Sequence, residues 1–347
     1  MHNLKSLVLV VGAGASKEVN FPIGEELKRK IASAFDFKQN DAFRISGGDP
    51  IILEALRSHR DQETRDKLMR AATLVRNGMS QAPSIDNFIH VHRDRPEVAF
   101  CGKLAIAQCI LSAESNSVLK IDASNTYNKM KFSQLEDTWY NKFFQSFFGQ
   151  HSFKALPAQL AKLTVITFNY DRCIEHYLFH SFMNYYDISP EEAKELMIQI
   201  RIYHPYGSLG DLPWKGTPRS IQFGEQINSQ KLIAVTDNLQ TFTEGTDEEH
   251  SEIMAIRTAI HTAGKIAFLG FAFNEQNLDL LFNSKIEARP LRGVPIYGTA
   301  FGLSTSDVTA ITNEIATTGR IDRDYIHLER EYKCARLISD YSRALKV

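Results

Sequence analysis

The sequence has few of the features that mark several large protein classes. Its 347 residues contain four cysteines, Cys101, Cys109, Cys173 and Cys334. No two of them form a CxxC pair, so we expect no structural zinc site. Because no signal peptide is recognisable, we expect free thiols and a reducing, cytoplasmic location.

Long apolar runs and an excess of one charge are also missing. The first apolar run, Leu7 to Val11, is far too short to span a membrane. The net charge is −1, which predicts no direct binding to nucleic acid or to an anionic membrane. No repeat, low-complexity tract, Walker loop or basic stripe occurs. With 43% hydrophobic and 23% charged residues, the composition is typical of a globular protein.

The first segments predict the start of an α/β unit. Ser6 to Val11 is a continuous apolar run, typical of a strand buried on both faces. A glycine-rich turn, Gly12 to Ser16, follows it. Ile23 to Phe35 then has apolar residues at helical spacing.

The middle of the chain predicts a large helical insertion at residues 50–160 within a single domain spanning 1–347. Helical periodicity occurs in Ile51 to His59, Thr64 to Asn77, Val98 to Ser112 and Gln134 to Phe148. This region is too long for one crossover helix. Its aromatic patch, Trp139 to Phe148, indicates core packing between helices or a partner surface.

Strands alternate with helices in the rest of the chain. Further strands are predicted at Leu163 to Phe168, Arg201 to Tyr203, Lys265 to Leu269 and Val294 to Tyr297. Further helices are predicted at Arg172 to Phe182, Ser189 to Ile200, Glu248 to Ala263 and Leu328 to Leu345. This alternation predicts an α/β fold with a Rossmann-like, doubly wound parallel sheet.

Four short stretches carry candidate chemistry. In the first turn, Gly12 and Gly14 allow close backbone approach and leave N–H groups for a phosphate, or simply connect a strand to a helix. Lys17 stands where the dinucleotide fingerprint has its third glycine. Residues 21–24, with Pro22, form either a flap over the site or a plain loop.

The other three stretches follow predicted strands. Asn169 and Asp171 are either ligand-facing groups or helix caps. His204, within "YHPYGSLG", is either a general base or a structural histidine. Gly270 ends a buried strand and precedes a helix, which suits ribose or phosphate binding. The carboxyl ends of parallel strands can converge on one ligand.

The order of these pieces resembles the sirtuin family, through Gly12, Gly14 and Ser16, then Asn169 and Asp171, then His204 and, more loosely, Gly270. The zinc ribbon of protein-deacylating sirtuins has no counterpart, because no cysteine occurs between Cys173 and Cys334. The variants "TFNYD" and "GFAFNEQNL", the segment "PSIDNFI" and the helical insertion resemble the divergent sirtuin-like proteins of bacterial antiphage defence.

That resemblance implies an NAD⁺ glycohydrolase that depletes NAD as a defence effector, with NAD as substrate and no metal. It also implies a homo-oligomer and a partner such as a HerA-type ATPase or another infection sensor. The aromatic patch and the last predicted helix are candidate contacts.

The resemblance implies roles for particular residues. The implied catalytic residues are Asn169, His204 and Asp171. From these matches and the neighbouring residues, we predict that the cofactor is bound by Gly12, Ala13, Gly14, Ala15, Ser16, Pro22, Gly207, Ser208, Gly270, Phe271 and Asn277. Asp86 either reaches the site or belongs to an ordinary helix start.

Two other functions stay open. One is a zinc-less NAD-dependent protein deacylase or ADP-ribosyltransferase. The other is a non-catalytic sensor that binds NAD or ADP-ribose.

Overall fold

The computed structural model describes residues 6–39, 45–122, 124, 129–218, 220–241, 251–282, 291 and 293–347. Its strands are β1 (Leu7–Val11), β2 (Lys38–Gln39), β3 (Ile45–Ser46), β4 (Leu163–Thr167), β5 (Arg201–Tyr203), β6 (Lys265–Leu269), β7 (Ile296–Thr299) and β8 (Ile326–Glu329).

The helices before β4 are α1 (Ala13–Ser16), α2 (Gly24–Ala34), α3 (Pro50–Arg57), α4 (Gln62–Gly78), α5 (Ile85–Val91), α6 (Pro96–Ser115), α7 (Trp139–Phe147) and α8 (Leu156–Leu160). Those after β4 are α9 (Cys173–Tyr186), α10 (Pro190–Gln199), α11 (Ser229–Thr236), α12 (Ser251–Thr262), α13 (Glu275–Phe282), α14 (Thr305–Gly319), α15 (Cys334–Asp340) and α16 (Ser342–Leu345).

Six strands form one parallel sheet in the order β5-β4-β1-β6-β7-β8. Counted within this sheet alone, the order is 3-2-1-4-5-6, which is that of the dinucleotide-binding fold. The predicted α/β, Rossmann-like fold is confirmed. The apolar runs of β1 and β4 are buried at every position, as the central strands of a covered parallel sheet require.

The strand order places a topological switch point beside β1. The chain leaves β1 towards β4 on one side, and β6 later pairs with its other side. Loops that leave neighbouring strands in opposite directions open a crevice at the carboxyl edge of the sheet. The segments that follow β1, β4 and β6 therefore meet at this edge.

The segment between β1 and β4 is largely helical, as predicted. Its longest helix, α6, is apolar and long enough to cross a membrane, but 67% of its most apolar window is buried inside the protein. This burial is consistent with the core helix of a soluble protein. Helix α6 packs against α4, α2 and α11, so it joins this segment to the rest of the core.

Helix α7 belongs to the core. All six aromatic residues of the patch are buried, namely Trp139, Tyr140, Phe143, Phe144, Phe147 and Phe148. The indole N–H of Trp139 donates to the carbonyl of Ala15 at 2.9 Å, and its backbone N–H donates to Glu18 Oε2 at 2.7 Å. The patch thus supports the loop after β1, and its interpretation as a partner surface is wrong.

The predicted long helix from Leu328 to Leu345 is also wrong. Ile326–Glu329 is strand β8, which pairs in parallel with β7, and two short helices follow it. A run of four residues is too short for its periodicity to distinguish a strand from a helix. The predicted helix from Glu248 is described only from Ser251, and residues 248–250 lie outside the described residues.

Candidate active site

The segments after β1, β4 and β6 line one pocket of about 190 Å³. We call it the switch-point pocket. Its lining residues are Gly12, Ala13, Ser16, Phe21, Pro22, Gly24, Leu27, Ser84, Asp86, Asn87, Ile110, Phe168, Asn169, Tyr170, Asp171, Tyr206, Phe271, Ala272, Asn274, Gln276 and Asn277. The wall combines aromatic and aliphatic side chains with a few polar groups, the usual composition of a small-molecule site.

Asn169 is fixed by the loop after β1. Its side-chain Nδ2 donates to the carbonyl oxygen of Gly12 at 3.1 Å and to Ser16 Oγ at 3.0 Å. Both hydrogens of the amide are used in these bonds. The amide oxygen is therefore the end that can serve a ligand in the switch-point pocket.

Asp171 accepts hydrogen bonds from the start of α9 and from Ser16. Its Oδ1 accepts from the backbone N–H of Cys173 at 3.1 Å, near the start of α9, and its Oδ2 accepts from Ser16 Oγ at 2.7 Å. Burial raises the pKa of this carboxyl group, and the two hydrogen bonds oppose the rise. Asp171 therefore orders this part of the pocket, and its Oδ1 satisfies one N–H of the first turn of α9.

Two glycine turns pack backbone against backbone beneath the pocket. The amide of Gly12 donates to Leu269 O, and that of Gly14 donates to Gly270 O, both at 2.9 Å. A Cβ on Gly270 would lie 2.0 Å from the backbone nitrogen of Ala15, and Gly270 has a φ of +57°. Only glycine fits there without displacing the loop after β1.

This packing corrects the expectation that the amides of the first turn are free for a phosphate. Gly12, Gly14 and Ala15 all donate to protein carbonyls, the last to Gly12 O at 3.0 Å. The amide of Ala13, at the first position of α1, has no intrahelical acceptor by the geometry of a helix start. Ala13 and Ser16 are thus the residues of this turn best placed to meet a ligand.

The structure brings together some of the predicted site residues. Those that line the switch-point pocket are Gly12, Ala13, Ser16, Pro22, Asn169, Asp171, Phe271 and Asn277. Those that do not line it are Gly14, Ala15, His204, Gly207, Ser208 and Gly270. Gly14, Ala15 and Gly270 contribute instead to the backbone packing beneath the pocket.

His204 points away from the switch-point pocket. Its Nε2 lies 2.6 Å from Glu175 Oε1, and its Nδ1 lies 3.2 Å from the backbone oxygen of Asn169. Both ring nitrogens are therefore engaged by the protein. The expectation that this imidazole meets the Asn169 amide over a shared ligand is corrected by this geometry.

His204, Gly207 and Ser208 line a separate, more open cleft of about 580 Å³, with Asp237 and Glu252 on its wall. Gly207 and Ser208 were expected to contact the cofactor together with the first turn. After His204 the chain makes a tight turn, in which the Gly207 amide donates a hydrogen bond to the His204 carbonyl. Gly207 and Ser208 therefore face the separate cleft.

Asp86, Tyr170 and Tyr206 line the pocket and have a larger part in it than the sequence indicated. Asp86 Oδ1 accepts from the hydroxyl of Tyr170 at 2.6 Å, and burial raises the pKa of its carboxyl group. The hydroxyl of Tyr206 donates to Asn277 Oδ1 at 2.5 Å. Ser84 caps α5 through the amide of Asn87, so Asp86 lies in the first helical turn and also reaches the pocket.

A buried ion pair anchors the turn that carries Asn169. Arg172 donates to both carboxylate oxygens of Glu114 on α6, at 2.9 and 2.6 Å. Its Nη1 also donates to Ile221 O at 2.7 Å, and Glu114 accepts from the amide of Gly224 at 3.1 Å. The pair ties α6, the start of α9 and the loop near Ile221 together.

The four cysteines are free and buried. Within the described ranges, no group of three or more His, Cys, Asp or Glu side chains is placed to hold a metal ion.

Comparison with known proteins gives one finding on family. The model of a family described as a SIR2-like domain matches residues 163–304. The match begins at β4 and includes Asn169, His204 and Asn277, while the loop after β1 lies before it. No curated protein matches the chain. The match supports a sirtuin-like family, whose members are generally NAD-dependent enzymes, and so an NAD-related enzymatic function for this protein.

Proposed function

We propose that this protein hydrolyses the bond between nicotinamide and ribose in NAD⁺, and that Asn169 is central to the reaction. The observation that carries the proposal is the convergence of Ala13, Ser16 and Asn169 on one pocket at the switch point of the sheet. Dinucleotides bind at this location in open α/β sheets. The SIR2-like match over residues 163–304 supports the same ligand.

The size of the pocket favours one end of the dinucleotide. Its 190 Å³ is below the roughly 300–1,000 Å³ that is usual for larger ligands. We assign the nicotinamide and its ribose to this enclosed space, against Phe168 and Phe271. The diphosphate would then pass Ala13, at the amino end of α1, towards the open side.

The reaction assigned to the pocket is a displacement at ribose C1′. The bond from C1′ to the pyridinium nitrogen breaks, its electron pair neutralises the ring, and nicotinamide leaves. A water oxygen bonds to C1′ and loses a proton, which gives ADP-ribose. Oxocarbenium character develops on the ribose, as in glycoside hydrolysis.

Two side chains have suitable positions for this chemistry. The amide oxygen of Asn169 would accept a hydrogen bond from the ribose or from the attacking water. Asp86 would stabilise positive charge on the ribose and accept the proton of the water, because a carboxyl group of raised pKa is a stronger base. Asp171 would act through its hydrogen bonds to Ser16 and to the start of α9.

The biological role that we propose is depletion of NAD in antiphage defence. Uncontrolled hydrolysis would harm the cell, so we propose control by homo-oligomerisation and by a partner such as a HerA-type ATPase. We further propose that the chain is one domain with residues 50–160 as a helical insertion. Helix α6, which lies in this insertion, packs against α2 before it and α11 after it in the sequence, and this packing supports the proposal.

The test is incubation of the purified protein with NAD⁺, alone and with its candidate partner, while nicotinamide and ADP-ribose are quantified. Equal release of both products supports hydrolysis. Formation of O-acyl-ADP-ribose only when an acyl-lysine peptide is added would assign deacylation instead. Thermal stabilisation by NAD⁺ without any product would assign a sensor.

A further inference from the structure

His204 and Glu175 form a buried pair next to the backbone of Asn169. Their side chains are 13% and 10% exposed, and the Nε2 to Oε1 distance is 2.6 Å. On the other side of the ring, Nδ1 lies 3.2 Å from the backbone oxygen of Asn169. The histidine thus contacts the main chain of Asn169, while the asparagine side chain faces the switch-point pocket.

The two contacts are both satisfied by a doubly protonated ring beside an ionised Glu175. A carbonyl oxygen only accepts, so the bond to Asn169 requires a hydrogen on Nδ1. An ionised Glu175 also only accepts, so the 2.6 Å contact requires a second hydrogen on Nε2. The ring therefore satisfies both neighbours when it is an imidazolium.

The surroundings of the pair favour the charged form. The second oxygen of Glu175, Oε2, is buried without a hydrogen-bond partner in the described part of the chain, so the imidazolium is the main compensation for its charge. The Glu175 carboxylate raises the pKa of His204 against the effect of burial, and Asp171 adds to the rise. Reciprocally, His204 holds the pKa of Glu175 low, with a contribution from Lys215.

Other charged groups face the pair from neighbouring elements. Glu252 on α12 accepts from the backbone amide of His204 at 3.3 Å. Lys194 on α10 lines another cleft, of about 400 Å³, together with Glu175 and His204. Asp171, in the turn after β4, acts on the histidine, and Lys215, in the loop after β5, acts on Glu175. Asp211 and Asp237 line the open cleft together with His204.

We propose that His204 is a positioning residue, which as an imidazolium paired with Glu175 holds the Asn169 peptide from behind so that the asparagine amide points into the switch-point pocket. This inference rests on the proposed function, because Asn169 is the group it positions. Loss of one proton would leave a lone pair facing either the Asn169 carbonyl or the Glu175 carboxylate, and the peptide would shift.

The inference and a general-base role for His204 predict opposite pH profiles. A positioning imidazolium is lost as the pH rises through its raised pKa, so kcat falls on the alkaline side. A general base must be neutral, so kcat would rise through the same pKa. We expect the wild-type profile to fall, and a rise would overturn the inference.

Substitutions separate the two roles in a second way. His204→Ala is expected to lower kcat on the order of 10- to 100-fold with a smaller change in KM, because a displaced Asn169 is poorly oriented. The double variant His204→Asn/Glu175→Gln keeps an N–H donor near the Asn169 oxygen and removes the buried charge. It should recover most of the lost kcat, whereas a missing general base would leave both variants equally slow. Glu195→Gln, an exposed change on α10, is the matched control.

A spectroscopic measurement tests the pair without turnover. The ¹⁵N chemical shifts of the ring, assigned by their disappearance in His204→Asn, should show both nitrogens protonated at about pH 7.5. Glu175→Gln should convert the ring to the neutral form at the same pH. A neutral ring in the wild type would overturn the inference even if NAD is cleaved. A charged ring in a protein that does not cleave NAD would instead contradict only the proposed function.

Discussion

Ser16 Oγ donates a 2.7 Å hydrogen bond to Oδ2 of Asp171, which joins the loop after β1 to the turn after β4. The same hydroxyl accepts from Nδ2 of Asn169 at 3.0 Å. One side chain thus orders both polar residues of the neighbouring turn. The bond crosses between β1 and β4, which lie side by side in the sheet.

Ser16→Ala is expected to weaken both folding and NAD cleavage. It leaves a buried carboxylate oxygen without its donor, which costs about 1–3 kcal/mol in the free energy of unfolding. Chemical denaturation measures the loss, and nicotinamide release measures the activity. The exposed Ser80→Ala provides the control, and equal stability of the two variants would contradict the structural role.

Asp86→Asn is expected to stabilise the protein while reducing NAD cleavage. Burial raises the pKa of Asp86, so its charged form destabilises the folded state at neutral pH. That destabilisation disappears as the pH falls through the raised folded pKa towards the unfolded value of about 3.9. The Asn side chain still accepts a hydrogen bond from Tyr170.

Thermal unfolding of Asp86→Asn and wild type between about pH 8 and pH 4 checks this prediction. The Tm of the variant should be higher near neutral pH, and the difference should shrink as the pH falls. Unchanged NAD cleavage in the variant would exclude Asp86 from the chemistry.

Gly270→Ala is expected to destabilise the protein by about 3 kcal/mol or more, since it adds a steric overlap to a left-handed backbone conformation. The new Cβ would lie 2.0 Å from the nitrogen of Ala15. Gly293 is the matched control, with a φ of +73°, since among the described residues no atom other than those of its chain neighbours lies within 4 Å of where a Cβ would be added. Gly293→Ala should cost only about 1 kcal/mol, the backbone part of the effect. Similar midpoints of urea unfolding for the two variants would contradict the close packing of the two turns.

Glu114→Ala is expected to cost about 3–5 kcal/mol, because it leaves the buried guanidinium of Arg172 without its carboxylate. The double variant Glu114→Met/Arg172→Leu should lose less than the sum of its single variants, since it removes both charges together. Equilibrium unfolding of the wild type, Glu114→Met, Arg172→Leu and the double variant gives the coupling. Additive losses would show that the pair does not act as a unit.

Much of the fold could be predicted because its central strands are covered on both faces. Continuous apolar runs identified β1, β4 and β6, and their alternation with helices indicated a parallel sheet. Strand β8 could not be recognised in the same way. Its four residues carry too little periodicity, and its state depends on pairing with β7, which lies far from it in sequence.

The site could be predicted only where polar residues follow a central strand directly. Asn169 and Asp171 lie on a short turn whose direction is set by β4, and the structure places both in the pocket. Beyond β5 the chain bends, so Tyr206 rather than His204 faces the pocket. Residue type favoured the histidine, but the loop backbone decides which side chain points inwards. Asp86 arrives from α5, and its approach depends on helix packing.

Cleavage of NAD⁺ in the switch-point pocket is tested most directly by the rate of nicotinamide release from wild type and from Asn169→Ala, with thermal unfolding as a control for folding. We predict release of nicotinamide with an equal amount of ADP-ribose by the wild type, and none above background by a folded Asn169→Ala. Release at the wild-type rate by that variant would contradict the assignment of the reaction to this pocket.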